Sequence, residues 1–132
     1  MGTRCFIGIN EDTGYLGVSC NYDGFVECAG MTLFSSYSDP DSLRKLISFG
    51  DLNALGSTVG TTEYSIGGNR FPRKYCKISE LFEKEDAEYA YMLDRNGKWY
   101  YYKKTSRAKY ELETDLRRLY PADFSVPGYI RF

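Results

Sequence analysis

The sequence predicts an α+β fold: an N-terminal antiparallel three-stranded meander and a C-terminal hairpin in a mixed or antiparallel sheet, with two to four short helices. Three local patterns predict it: alternating apolar residues between tight turns near the N-terminus, a helix start at Asp39-Pro40, and an Asn96-Gly97 turn between aromatic-rich segments. The 132 residues match the usual length of one domain, and 42% hydrophobic with 27% charged residues is ordinary globular usage. We therefore expect residues 1–132 to form a single domain.

The N-terminal segment is predicted to form the meander. Residues 4–10 and 15–22 alternate apolar with small or polar side chains on either side of the loop 11–14. Asp23-Gly24 is typical of a type I′ turn, which needs a positive φ at both central positions. This turn predicts a third strand that begins at residues 25–28.

The loop at residues 11–14 also predicts the register of the first hairpin and which face is buried. It places Gly8 opposite Gly17, on the face turned away from the core. Paired strand glycines mark the close approach of another backbone, a helix or a ligand, and these alternatives stay open. The residues predicted on the core face are Cys5, Ile7, Ile9, Leu16, Val18, Cys20 and Tyr22.

The first helix is predicted to begin at Asp39-Pro40, because Asp suits the N-cap and Pro the first helical position. The following apolar residues repeat at helical spacing, and Gly50 ends the helix. Residues 51–56 are expected to add a short helical turn, and residues 57–69, rich in Gly, Ser and Thr, an exposed loop. The apolar face of the helix consists of Leu43, Leu46 and Ile47.

The second half of the chain is predicted to hold a short helix, a hairpin and a last helix. Ser79 is the expected N-cap of the short helix, which carries Leu81 and Phe82. The Asn96-Gly97 turn joins the two strands of the hairpin. The strands are expected at residues 88–94 and 98–103, and the last helix at residues 111–120.

The composition excludes several kinds of catalytic site. The chain has no histidine, so Ser-His-Asp and Cys-His arrangements are excluded, and any catalysis must use Asp, Glu, Lys, Arg, Tyr or Cys. The four cysteines show no Cys-x-x-Cys spacing, and we expect free thiols, no metal and no cofactor. The cysteines are Cys5, Cys20, Cys28 and Cys76.

The sequence gives no sign of a membrane partner. No apolar run approaches the roughly 20 residues that a spanning helix requires, and the N-terminus lacks the basic start and apolar stretch of a signal peptide. A cytoplasmic location is therefore expected.

Charge is unevenly distributed along the chain. Residues 1–66 contain three Lys or Arg against eight Asp or Glu, whereas residues 67–132 contain fourteen against ten. The second half also mixes bases with aromatics, and such surfaces suit phosphate-bearing, nucleotide-like ligands. A solvated sheet edge protected by lysines is the alternative. Extended duplex DNA fits poorly, because the net charge is −1. The candidate ligand-binding residues are Arg70, Arg73, Lys74, Trp99, Tyr101, Lys103 and Lys104.

Several short motifs cover about two thirds of the chain and begin with Thr-Arg-x-x-Ile-Gly-Ile and Cys-x-x-Asp-Gly. The motifs are Thr3-Arg4, Ile7-Gly8-Ile9, Cys20 with Asp23-Gly24, Gly30, Gly50-Asp51-Leu52, Leu55-Gly56 and Glu88-Tyr89-Ala90-Tyr91. Together they resemble a family of short, uncharacterised bacteriophage and prophage proteins. Where the family has His-Trp-Asp-Gly, this chain has Asn21-Tyr22-Asp23-Gly24, so chemistry that depends on the family's histidine is absent here.

The resemblance implies a phage-encoded accessory protein and no known activity. It directs attention to Arg4, Asn21 and Tyr22 as a second set of candidate binding residues. The leading expectation is a counter-defence or host-takeover inhibitor in the host cytoplasm that sequesters a nucleotide signal or blocks a host defence protein. The alternatives are a small metal-independent enzyme acting on a nucleotide or phosphorylated substrate, and a phage structural or assembly component. Self-association into a homo-oligomer stays open.

Overall fold

The computed structural model describes residues 3–106 and 108–121. Within them, a mixed sheet of eight strands is covered by four α-helices, which confirms the predicted α+β class. The strands lie in the order β4-β3-β2-β1-β6-β7-β8, and β5 pairs with β2. The predicted single domain over residues 1–132 extends beyond the described residues at both ends. The strands are β1 Cys5–Glu11, β2 Gly14–Cys20, β3 Leu52–Ala54, β4 Glu63–Tyr64, β5 Arg73–Tyr75, β6 Tyr89–Leu93, β7 Trp99–Lys103 and β8 Lys109–Glu111. The helices are α1 Met31–Ser36, α2 Pro40–Ser48, α3 Ile78–Lys84 and α4 Leu112–Leu119.

The first hairpin has the predicted register, with Gly8 opposite Gly17. A Cβ atom at Gly17 would lie 2.2 Å from the Ile7 carbonyl oxygen and 2.7 Å from Gly8 Cα. The glycine pair therefore allows the backbones of β1 and β2 to approach each other closely.

The predicted third strand at residues 25–28 is wrong: the chain forms a π-helical turn, Val26–Gly30, that continues into α1. Asp23 has a φ of 60°, but the other positive φ that a type I′ turn requires is absent from Gly24. The open edge of β2 is instead occupied by β3, in parallel, and by β5, in antiparallel pairing. A third meander strand has no vacant edge beside β2.

Residues 51–56 contain strand β3 and not the predicted helical turn. The backbone amides of Asn21 and Tyr22 donate to the carbonyls of Leu52 and Asn53, with N···O distances of 3.0 and 2.9 Å. These bonds extend the pairing of β2 with β3 beyond Cys20 and leave residues 57–69 as a loop with one 3₁₀ turn, Val59–Thr61, and the short strand β4.

The remaining predicted elements are confirmed with small shifts. Strands β6 and β7 form the expected hairpin, in which Gly97 has a φ of 82°. Asp39 is the N-cap of α2. Helix α3 begins at Ile78, so its N-cap is Lys77 and not Ser79. Strand β8, which was not predicted, pairs with β7.

The sheet is buried on both faces. The larger core lies under the π-helical turn and helices α1, α2 and α4, and it includes the predicted residues of β1 and α2. Helix α3 covers part of the other face, where Phe6, Met92 and Tyr102 are buried. Two core predictions differ: Leu16 is only partly buried, and Tyr22, which follows the end of β2, is 49% exposed.

Within the described part of the chain, none of the helices combines the length and apolarity that a bilayer span requires.

Candidate functional site

An open cavity of about 950 Å³ lies at one end of the central strands. Because β1 and β6 are parallel and each is antiparallel to its hairpin partner, the starts of β1 and β6 meet the ends of β2 and β7 at this edge. Backbone bonds continue the ladder here, since Glu88 N donates to Arg4 O and Lys104 N donates to Glu88 O, both at 2.9 Å. Four stretches far apart in sequence thus converge on one site.

Two exposed aromatic rings line this cavity. Tyr22 is 49% exposed and Phe25 is 41% exposed, so neither ring is needed to fill the core. A third ring, that of Tyr89, is partly buried and stacks on Tyr91, with the ring centroids 6.1 Å apart. Exposed aromatics beside a concavity are typical of binding surfaces, because they offer apolar area at low entropic cost.

Two cations and two carboxylates also line the cavity. Arg4 Nη1 lies 3.8 Å from Asp86 Oδ2, and both side chains are more than half exposed. Lys103 Nζ lies 4.9 Å from the ring centroid of Tyr110, and among the described residues it has no carboxylate within ion-pair distance. Glu88 is exposed on the same wall. The formal charges of these side chains balance, but neither cation is held in a tight ion pair.

The position of Asn21 is set by neighbouring hydrogen bonds. Its side-chain Nδ2 donates to Asn53 Oδ1 at 2.8 Å, and its backbone amide is bound to β3. Tyr22 is held in the same way through its own amide. Both side chains are therefore presented to the cavity from a hydrogen-bonded backbone.

The second set of predicted site residues comes together here, whereas the first set is dispersed. Arg4, Asn21 and Tyr22 share the cavity wall with Lys103 from the first set. Lys104 is exposed and lies outside the lining.

Trp99 and Tyr101 were among the predicted ligand-binding residues, but both side chains lie in the core. They are only 2% and 3% exposed, because helices cover the face of the sheet on which they lie. The Tyr101 hydroxyl donates to Asp115 Oδ2 at 2.6 Å, which fixes α4 against β7. Burial and this carboxylate raise the pKa of Tyr101.

The first cavity is not lined by Arg70, Arg73 or Lys74. Arg70 is exposed. Lys74 Nζ binds Glu11 Oε1 at 2.9 Å and the Thr13 hydroxyl at 2.7 Å.

Arg73 is the centre of an ion-pair network that the sequence did not reveal. Its Nε and Nη2 donate to the two carboxylate oxygens of Glu85 at 2.9 and 3.0 Å, and Nη1 donates to Asp51 Oδ1 at 2.8 Å. Asp51 also accepts from the backbone amides of Ser19 and Asn69, both at 3.0 Å. The Tyr75 hydroxyl bonds to Glu85, and burial followed by this carboxylate raises the pKa of Tyr75 to about 12.

This network borders a second open cavity of about 690 Å³. Arg4, Asn21 and Asp86 line both cavities. The second cavity is more polar, and its lining includes Ser65, Asn69 and Lys84. Within the described residues, no group of three Cys, Asp, Glu or His side chains is placed to hold a metal ion.

The four cysteines are free thiols. Cys5 and Cys20 face each other across β1 and β2 and are buried, whereas Cys28 and Cys76 are exposed. A hydrogen bond with Cys20 and burial raise the pKa of the Cys5 thiol, so this thiol stays protonated at neutral pH.

We expect the melting temperature to be unchanged by EDTA or by dithiothreitol, because the structure has neither a metal-ligand cluster nor a disulfide among its described residues. Differential scanning fluorimetry with and without each reagent checks this. A decrease of more than about 4 °C with either reagent, on the order of 1 kcal/mol for a small domain, contradicts the prediction.

No family model, curated protein or solved structure matches the chain. The resemblance to phage proteins therefore stays a prediction, and function has to be inferred from the cavity itself.

Proposed function

We propose that this protein binds a nucleotide-like ligand in the first cavity and acts by sequestering it. In this proposal it is a phage-encoded accessory protein that removes a nucleotide defence signal from the host cytoplasm. The observation that carries the proposal is the pair of exposed rings, Tyr22 and Phe25, on the same cavity as Arg4, whose ion pair is long, and Lys103, which lies over a tyrosine ring.

The rings supply the surface for a base. Stacking of a base on an aromatic side chain contributes about 1–3 kcal/mol and tolerates any base, because every base has a π-face. Asn21 and Glu88 lie on the same wall and offer an amide and a carboxylate to the polar edge of the base or to ribose hydroxyls.

The cations supply the contacts for phosphate. The Arg4–Asp86 pair is long and exposed, and such pairs contribute about 0–1 kcal/mol. A phosphate in place of Asp86 forms charge-assisted hydrogen bonds with the guanidinium, worth about 1.5–3 kcal/mol each. Lys103 keeps its ammonium over the Tyr110 ring and, among the described residues, has no ion pair to give up when it binds phosphate.

Sequestration is favoured over turnover by the side chains at the cavity. The chain has no histidine, and the carboxylates Asp86 and Glu88 are both exposed. Catalytic carboxylates usually lie in clefts that exclude water, beside a partner that positions them, whereas these two carboxylates are open to solvent.

A second candidate is that the protein blocks a host defence protein directly. Three large apolar side chains around the 57–69 loop are strongly exposed: Phe49 at 53%, Ile66 at 101% and Phe71 at 75%. Exposed apolar side chains in one region are typical of protein-binding surfaces. This surface does not overlap the lining of the first cavity.

Calorimetric titration tests the first candidate. Adenine and guanine nucleotides are titrated into the wild type and into Tyr22→Ala, Phe25→Ala and Lys103→Ala. Loss of a stacking ring is expected to weaken binding by about 5- to 150-fold, and loss of the lysine by about 10- to 150-fold. Phe71→Ala is the matched control, because it removes an exposed ring outside the cavity and is expected to leave binding unchanged.

The absence of binding by any nucleotide refutes the proposal, and so does recovery of a chemically changed ligand after incubation. If Phe71→Ala instead abolishes capture of a host protein by the immobilised chain, the second candidate replaces the first.

A further inference from the structure

We propose that the ligand is a pair of nucleotides joined by a phosphodiester, with one nucleotide in each cavity. This inference rests on the proposed function and names its ligand class. The two cavities are neighbours, because Arg4, Asn21 and Asp86 line both of them.

The two neighbouring cavities together are larger than a usual small-ligand site. Sites for small ligands usually enclose about 300–1,000 Å³. The first cavity, at about 950 Å³, already lies at the upper end of that range, and the second adds about 690 Å³. A ligand confined to the first cavity leaves the adjoining groove filled only with solvent, whereas a longer ligand extends past the shared wall.

The distribution of cations favours a ligand with phosphate at more than one position. Lys103 lines the first cavity alone, Lys84 lines the second alone, and Arg4 lines both. Like Lys103, Lys84 is outside every ion pair found among the described residues. Each cavity thus has one lysine outside the ion pairs of the described residues, and a weakly paired guanidinium lines both cavities. Arg4 is placed for the linking phosphate.

Arg73 is a wall of the second cavity and not a phosphate ligand. Its donors are already directed at Glu85 and Asp51, so a phosphate there has to displace two carboxylates whose side chains are only 11% and 13% exposed. The polar groups left for the second nucleotide include the Ser65 hydroxyl and the side-chain amide of Asn69. The nucleotide in the second cavity is therefore held by hydrogen bonds and by Lys84, whereas the base in the first cavity is held by stacking.

Titration calorimetry with ligands of one and two units tests this inference. The probes are adenosine and guanosine monophosphates and the corresponding linear and cyclic dinucleotides. We expect a dinucleotide of at least one type to bind more than 10-fold tighter than its mononucleotide. Comparison of the titrations with linear and with cyclic dinucleotides identifies which form of the phosphodiester fits the two cavities.

Two variants assign the second unit to the second cavity. Lys84→Ala is expected to weaken dinucleotide binding by about 10- to 150-fold and to leave mononucleotide binding unchanged. Tyr22→Ala is expected to weaken both. The matched control is Lys45→Ala, which removes an exposed lysine of α2 that lines neither cavity. Thermal unfolding confirms that each variant is folded.

The outcomes separate this inference from the function on which it rests. The two-cavity ligand is refuted if mononucleotides and dinucleotides bind with equal affinity. It is also refuted if Lys84→Ala binds dinucleotides like the wild type. In both cases the mononucleotide site in the first cavity stands. Failure of every nucleotide to bind overturns both.

Discussion

Replacing Ile7 by alanine is expected to destabilise the protein by about 2–5 kcal/mol, the usual cost of truncating a buried isoleucine. Ile7 is 0% exposed and lies at the middle of β1, opposite Val18 on one side and Tyr91 on the other. Because β1 is the central strand of the sheet, a cavity there is lined by neighbours that hydrogen bonds already hold in place. Urea unfolding followed by tryptophan fluorescence measures the change, since Trp99 belongs to the same core.

The chain supplies a matched control in Ile66→Ala. This is the same chemical change at a side chain that is 101% exposed, and surface substitutions usually alter stability by no more than about 0.5 kcal/mol. Equal effects of the two substitutions contradict the assignment of β1 to the core.

Local patterns were sufficient for the hairpins. The turn at residues 11–14 and the Asn96-Gly97 turn each join segments that are adjacent in sequence, so their register follows from loop length and alternation. The same is true of α2, whose start is marked by Asp39-Pro40. Each of these elements is specified by residues within a few positions of itself.

Pairing between distant segments was not predictable from such patterns. Residues 25–28 and 51–56 were assigned the wrong structure because the edge of β2 pairs with strands that follow it by more than 30 residues, at Leu52 and at β5. Once β3 and β5 hold that edge, the segment after Asp23 packs as a helix, with Val26, Ala29 and Leu33 in the core.

The site was only partly predictable for the same reason. Arg4, Asn21 and Tyr22 were selected through a resemblance, and they meet Lys103 only because β1 and β6 run in parallel. The sequence placed Trp99 and Tyr101 among the candidate ligand-binding residues, but it did not reveal that helices cover the face of the sheet on which they lie.

Arg73 shows how a basic residue in an aromatic context can have a structural role. The sequence favoured a phosphate contact, whereas the structure places its guanidinium between Glu85 and Asp51. Burial alone favours the neutral form, but the hydrogen bonds with these carboxylates raise the pKa of Arg73 above its ordinary value. The network links β5 to Asp51, which follows α2, and to Glu85, which follows α3.

Arg73→Ala is accordingly expected to act on stability. Removing one member of a buried ion pair costs about 3–5 kcal/mol because the remaining charge is left uncompensated, and the partial exposure of this network places the expected loss nearer 2–3 kcal/mol. The Arg73 side chain is 21% exposed, and those of Glu85 and Asp51 are 11% and 13% exposed. Lys74→Ala is the matched control in the same strand: its pair with Glu11 is more exposed, so a loss below about 1 kcal/mol is expected.

In the Arg73→Ala background, Glu85→Gln should recover part of the loss, because it removes one of the two carboxylates left without a counter-charge. Chemical denaturation of the wild type, the two single variants and the double variant measures their free energies of unfolding. If Arg73→Ala is no less stable than Lys74→Ala, the network contributes little to the stability of the fold.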